Sequence, residues 1–293
     1  MFKDSLKNGG LTFNRANSKF GYKVQMPCRK CIGCRLDYSR EWAIRNVHES
    51  YMHDENCFIT LTYNNDHLPP DNSLVKKHFQ EFIRSLRKRT GIKIRYYMCG
   101  EYGDLKARPH YHALLFGYSF PDKTLSAMRR GLKNYRSDLL EETWTKGFSE
   151  IADFNYANAA YTSRYIMKKQ YGVNADIQYG TSYDIVTRKK IHTIQPEYVQ
   201  QSLKPGIGKP FYDRYFSDLF PVDEIHMNGK TFPMPSYYHK LLAIDDPELA
   251  EKLLVKRVAK LKSLPINERR PKRLAVKEFC QIQKLKQLTR TLE

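Results

Sequence analysis

Apolar residues recur along the middle of this chain with two different periods. The run Cys57-Phe58-Ile59-Thr60-Leu61-Thr62-Tyr63 is dense in β-branched and aromatic residues and predicts a strand over 57–63. Val75, Phe79, Phe82, Ile83 and Leu86 then recur at three- and four-residue intervals, with Lys76, Lys77, Arg84, Arg87 and Lys88 on the other faces. That stripe predicts an amphipathic helix over about 74–89 whose aromatic side enters the core. Further strands are predicted at 93–99, 110–117 and 148–153, and a helix within 122–144. A last helix is predicted from Asn155 to Lys169, a stretch that lacks Gly and Pro and carries alanines. This order reads as an α+β fold, a central antiparallel sheet with helices packed on one face and the other face left for function.

The strand at 110–117 carries the first chemistry. Side chains alternate along a strand, so His110 and His112 share one face about 7 Å apart, while Tyr111 and Ala113 point to the other. Upstream, Gly100-Glu101-Tyr102-Gly103 opens a polar turn that leads to Arg108-Pro109. A hairpin connection there brings Glu101 near the start of the histidine strand. Two imidazoles and one carboxylate suit a divalent ion with open positions, and Mg²⁺ or Mn²⁺ held against a phosphate is the hard-cation use of such a set.

On the helix of 155–169, Tyr161 and Tyr165 are four apart, so both phenols rise from one face. Arg164 and Lys168 each follow a tyrosine by three residues, where a cation can steady a phosphate or a phenolate. A second cluster, Cys28-x-x-Cys31-x-x-Cys34, has a spacing that in a reducing compartment favours metal over disulfide. It suits a structural Zn²⁺ or an iron–sulfur cluster, with Cys57, Cys99, His48 and His53 as candidates for a fourth ligand.

Charge narrows the partners. The chain has 50 Lys and Arg against 31 Asp and Glu, a formal charge of +19, and a polyanion accounts for such an excess. Residues 251–293 hold 13 basic and 4 acidic residues, so +9 lies there, in helical pieces broken at Pro265 and Pro271 that suit contact with a phosphate backbone. No apolar run approaches the roughly 18 residues of a membrane span, and Met1-Phe2-Lys3-Asp4 does not begin a secretory signal, so a cytoplasmic site is expected. There is no Gly-x-x-x-x-Gly-Lys-Ser/Thr loop, so an unwinding motor would be a separate protein. Lys204-Pro205-Gly206-Ile207-Gly208 marks a turn that either sets amides and lysines against phosphate or is purely structural.

Taken in order, these motifs resemble the replication initiation proteins of the small single-stranded DNA bacteriophages, Microviridae, most closely the gokushovirus branch, within the HUH endonuclease superfamily. The resemblance rests on 57–63 as first motif, Arg108-Pro109-His110-Tyr111-His112, and Tyr161-Thr162-Ser163-Arg164-Tyr165. It takes in Pro27 to Arg35, Gly100 to Gly103 and Lys204 to Gly208, and spans about residues 20–245. It implies that His110, His112 and Glu101 bind the metal and that Tyr161 and Tyr165 are paired nucleophiles. It further implies nicking and rejoining of single-stranded origin DNA through a 5′-phosphotyrosine, with a free 3′-hydroxyl as primer, in the cytoplasm of a host that supplies helicase and polymerase. Two positions depart from the pattern: Tyr111 where an aliphatic is usual, and Arg164 where relatives often carry Lys. The organisation expected is an extension with the cysteine cluster and a helix (1–55), the nuclease domain (56–175), an accessory region (176–250) and a basic helical tail (251–293). Two readings from other classes compete, a noncatalytic nucleic-acid-binding protein and a metal-dependent phosphodiester hydrolase that uses water.

Overall fold

A computed structural model of the chain describes residues 2–3, 11–12, 16, 28–103, 107–129, 131–164, 169, 173–180, 182–183, 186–187, 190–191, 193–263 and 265–287. A two-residue pair, β1 (Phe2–Lys3) with β2 (Leu11–Thr12), precedes helix α1 (Ile32–Ser50) and strand β3 (Asn56–Tyr63). Then come α2 (Lys76–Thr90), β4 (Arg95–Tyr102), β5 (Pro109–Phe116), β6 (Thr124–Arg129), β7 (Leu132–Arg136), α3 (Asp138–Thr143), β8 (Gly147–Asp153) and α4 (Tyr156–Arg164). Beyond α5 (Val173–Tyr179) and the pair β9 (Ser182–Tyr183) and β10 (Lys190–Ile191) lies β11 (Tyr198–Gln201). The remainder is α6 (Lys209–Arg214), α7 (Phe216–Leu219), the hairpin β12 (Glu224–Met227) and β13 (Lys230–Pro233), α8 (Ser236–Asp245), α9 (Pro247–Ser263), α10 (Ile266–Arg269) and α11 (Pro271–Gln287).

Seven strands form one antiparallel sheet in the order β11-β4-β5-β3-β8-β7-β6. The α+β architecture is therefore as expected, and the basic C-terminal segment is helical with breaks at Pro265 and Pro271. The segment expected to hold one helix within 122–144 is instead the hairpin β6–β7 followed by the short α3. Leu125, Ala127, Met128 and Leu132 are good helix formers, yet Gly131 turns the chain at φ +77° and Tyr135 pairs with Ile151 of β8, so tertiary pairing overrides local propensity.

Strand alternation divides the central residues between two cores. Cys57, Ile59, Leu61 and Tyr63 of β3, Met98 of β4 and Tyr111, Ala113 and Leu115 of β5 pack against Phe79, Phe82, Ile83 and Leu86 of α2 and Leu140 and Trp144 of the α3 region. Fully burying one such apolar side chain is worth about 1.5–3 kcal/mol, so this face carries much of the stability. Tyr111, the unusual residue between the histidines, has a role here. Its hydroxyl accepts from the Val75 N–H at 3.0 Å and donates to the Val75 carbonyl at 2.9 Å, tying β5 to the start of a helix that has no side-chain cap of its own.

The opposite face, expected to be open, is covered over part of its length. Phe58, Tyr97, Leu114 and Phe116 meet Trp42, Ile44 and Val47 of α1 and Ala159 and Tyr161 of α4. Lys204-Pro205-Gly206-Ile207-Gly208 is a structural turn docked on this assembly. Gly208 N–H donates to Glu49 Oε2 at 2.6 Å, Arg95 Nη2 to the Pro205 carbonyl at 2.8 Å and Arg45 Nε to the Ile207 carbonyl at 3.0 Å. Burial alone would raise the Glu49 carboxyl, but hydrogen bonds from His53, Arg95 and Gly208 outweigh it and hold it below the usual carboxylate range.

Candidate active site

On the face shared with α1 and α4, the central strands change from apolar to polar at the same level. Along β3 the sequence runs Phe58, Thr60, Thr62; along β5, Phe116, Leu114, His112, His110; along β4, Tyr97, Cys99, Glu101. Register aligns these changes: Glu101 lies opposite His110, Cys99 opposite His112, Thr60 opposite His112 and Thr62 opposite His110. On β8, Glu150 lies opposite Thr60. The helices cover the apolar end, and the polar end is the site.

Glu101 sits within β4, which runs through Tyr102, and not in the turn where the sequence placed it. Its carboxylate is buried, 1% exposed, and Oε1 lies 2.9 Å from His112 Nε2. The other nitrogen of each histidine is held by a threonine of β3, Thr60 Oγ1 at 3.0 Å from His112 Nδ1 and Thr62 Oγ1 at 2.9 Å from His110 Nδ1. The sequence marks 57–63 as a strand with a motif but assigns these hydroxyls no contact. Alternation does put Thr60 and Thr62 on one face, yet it says nothing of which strand they meet.

The two glycines of Gly100-Glu101-Tyr102-Gly103 are explained by space. A Cβ on Gly100 would meet the Tyr198 ring at 3.0 Å and Leu74 at 3.1 Å, and one on Gly103 would lie 2.8 Å from His110 Nε2. Gly103 therefore keeps room in front of the nitrogen that Thr62 leaves for a ligand. That space, together with two Nδ1-anchored imidazoles and a carboxylate on one face, fits a hard divalent ion. The three groups are not closed on one point: among the described residues, only Cys28, Cys31 and Cys34 form a trio of His, Cys, Asp or Glu whose ligand atoms all lie within 4.8 Å of one another.

Tyr161 lies on α4 with its ring edge-on to His112, centroids 5.5 Å apart, and edge-on to Phe58 at 6.4 Å. It lines a cleft with Phe58, Thr60, His112, Glu150 and Asn158. Asn158 fixes the start of this helix, its N–H donating to Asn155 Oδ1 at 2.8 Å and its side-chain amide to the Asp153 carbonyl at 2.8 Å. Arg164 ends the described helix, half-buried. Tyr165 and Lys168 lie outside the described residues.

None of the four candidates joins the cysteine trio as a ligand. Cys57 and Cys99 are fully buried on opposite faces of the sheet, and burial pushes the Cys57 thiol up to about 12. His48 stacks on Phe211 at 3.9 Å with Nδ1 3.0 Å from the Tyr238 hydroxyl, and His53 pairs with Glu49 at 3.3 Å. Local sequence proximity misled here, because α1 carries His48 and His53 to its far end.

Among the described residues, no helix is long and apolar enough to cross a membrane. Residues 56–170, which include Glu101, His110, His112, Tyr161 and Tyr165, match a family model for the replication-associated protein ORF2. The replication-associated protein VP4 of Bdellovibrio phage phiMH2K is 34% identical over 231 residues, covering 76% of this chain and 69% of the relative. The replication-associated protein ORF2 of Spiroplasma virus 4 is 32% identical over 248 residues, 80% and 72% of the two chains. The replication-associated protein ORF4 of Chlamydia phage 1 is 30% identical over 230 residues, 75% and 54%. No solved structure matches. With two relatives above 30% identity aligned over more than two thirds of their lengths, the chain belongs to the replication-associated proteins of the microvirus phages.

Proposed function

We propose that this protein initiates rolling-circle replication by nicking and rejoining single-stranded origin DNA, with Tyr161 and Tyr165 as nucleophiles and His110, His112 and Glu101 as the ligands of a divalent ion. The observation that carries the reading is the shared face of Glu101, His110 and His112 with the Tyr161 ring set edge-on to His112. When bound, Mg²⁺ or Mn²⁺ supplies Lewis-acid polarisation of a nonbridging phosphate oxygen.

The chain's own residues supply the rest. A phenol at the ordinary pKa of about 10 is roughly one part in a thousand ionised at neutral pH, so attack needs a proton acceptor. Glu150, which lines the same cleft, offers a carboxylate for that proton. The phenolic oxygen forms a bond to phosphorus as the bond to the 3′ oxygen breaks, and that oxygen leaves with a proton as a 3′-hydroxyl. The phosphotyrosine conserves a phosphodiester-type bond, so the reverse attack reseals the strand without ATP. A second tyrosine allows a second cut while the first still holds an end. Lys and Arg, 50 in all, bind the backbone without regard to sequence. Helicase and polymerase come from the host.

The test combines purified protein, Mn²⁺ and end-labelled single-stranded DNA of the virus's own origin, followed by denaturing electrophoresis. A protein–DNA adduct that survives denaturation is expected, and His110→Ala or His112→Ala should suppress it while DNA binding persists. Cleavage that leaves a 5′-phosphate and no adduct would identify a water-using hydrolase instead. Binding with no cleavage at all would make the protein a noncatalytic binder.

A further inference from the structure

Cys28, Cys31 and Cys34 lie outside the histidine face and have no part in the proposed nicking chemistry. All three are free thiols, two exposed and one half-buried, so they do not pack a core. Local structure brings them together. Arg29 turns the chain at φ +57°, Cys31 is the extended N-cap of α1, and Cys34 stands three residues on, in the first turn. The Cys31 N–H donates to Cys28 Sγ at 3.2 Å, and Cys28 Sγ lies 3.9 Å from Cys34 Sγ.

Those separations discriminate between ligands. Thiolates about 2.3 Å from one tetrahedral ion lie roughly 3.8 Å from each other, close to the 3.9 Å found between Cys28 and Cys34 and within the 4.8 Å that bounds the trio. A disulfide needs about 2.05 Å. An iron–sulfur cubane seats each thiolate on its own iron, which spreads the sulfurs beyond the spacing seen here. Soft thiolates select zinc over the hard ions suited to the histidine site. Among the described residues no fourth His, Cys, Asp or Glu joins, so three thiolates are the described protein contribution.

The position of the trio gives such an ion structural work. Arg35, one residue past Cys34, donates from Nη2 to the Lys169 carbonyl at 3.2 Å, and Asn46 further along α1 donates to Ser163 Oγ of α4 at 3.3 Å. The first turn of α1 is thus tied to the chain that follows the tyrosine helix. We infer that Cys28, Cys31 and Cys34 bind one zinc ion as three thiolates and that this ion holds the first turn of α1 against the chain leaving α4. The zinc site rests on the proposed nicking only for what α4 does; its existence is read from metal content and spectra, without DNA.

The full chain, purified anaerobically without chelator, should contain one zinc and no stoichiometric iron by mass spectrometry. After the zinc is stripped, Co²⁺ titrated in should give the visible d–d bands of a tetrahedral site and a thiolate charge-transfer band. Cys31→Ser should lose both. Hydrogen exchange in 32–50 and 156–164 should speed up on stripping. Absent zinc with no thiolate–cobalt band, or the broad absorbance of an iron–sulfur cluster, overturns the zinc assignment even if no cysteine variant folds. Unchanged exchange in α4 on stripping overturns the anchoring role.

Discussion

Thr60 Oγ1 on β3 lies 3.0 Å from Nδ1 of His112 on β5. A hydroxyl both donates and accepts, so it can serve the imidazole in either tautomer, and it fixes the ring with Nε2 facing Glu101. Thr62 repeats the arrangement at His110. Thr60→Val keeps the shape and removes the oxygen. Leaving a buried nitrogen unpartnered costs about 1–3 kcal/mol, and loss of such an orienting partner weakens a metal site about 10–100-fold. Calorimetric titration with Mn²⁺ should show that loss in Thr60→Val and its recovery in Thr60→Ser, with DNA affinity unchanged; Mn²⁺ binding at the wild-type level in Thr60→Val would remove the hydroxyl from this role.

Gly103→Ala tests the space in front of His110. An added Cβ would fall 2.8 Å from His110 Nε2, closer than real Cβ contacts come, so the ring must turn away from Thr62. Misplacement of a reacting group by about 1 Å can cost a hundredfold in rate. Adduct formation should drop by about that factor while the melting temperature changes little. A variant that cuts at the wild-type rate would show that His110 does not need this clearance.

The paired nucleophiles predict a non-additive result. Tyr161→Phe and Tyr165→Phe remove only a hydroxyl each, and each single variant should still cut once and form an adduct. The double variant should form none. A covalent product from the double variant, seen after denaturation, would assign the nucleophile elsewhere.

His48 should make the fold acid-sensitive. Burial lowers its pKa to about 3 against an ordinary 6.5, so the folded protein keeps it neutral where the unfolded chain takes up a proton. The sign follows: stability is intact above about pH 6.5 and falls by about 1.4 kcal/mol per pH unit below it, until the folded-state value is reached. Urea unfolding between pH 7 and 4 should show a slope smaller by about one proton in His48→Gln. An identical slope in the variant would place the acid sensitivity at other groups.

Everything legible from the chain alone was local. Alternation put His110 and His112 on one face and Tyr111 on the other, helical spacing set the stripe of α2, and three-residue spacing placed Cys31 and Cys34 in one turn. Each of these follows from backbone geometry over a few residues. The partners of those groups came from the assembled sheet. Thr60 and His112 are 52 residues apart, Thr62 and His110 are 48 apart, and their meeting depends on strand order and register, which the whole sheet sets through the packing of both its faces. Glu101 looked like a turn residue because glycines flank it, whereas those glycines make room for Tyr198 and His110 beside a continuing strand. Leu125 to Leu132 looked helical because propensity is summed locally, and pairing with β8 prevailed because it satisfies backbone hydrogen bonds at a sheet edge that would otherwise be left open.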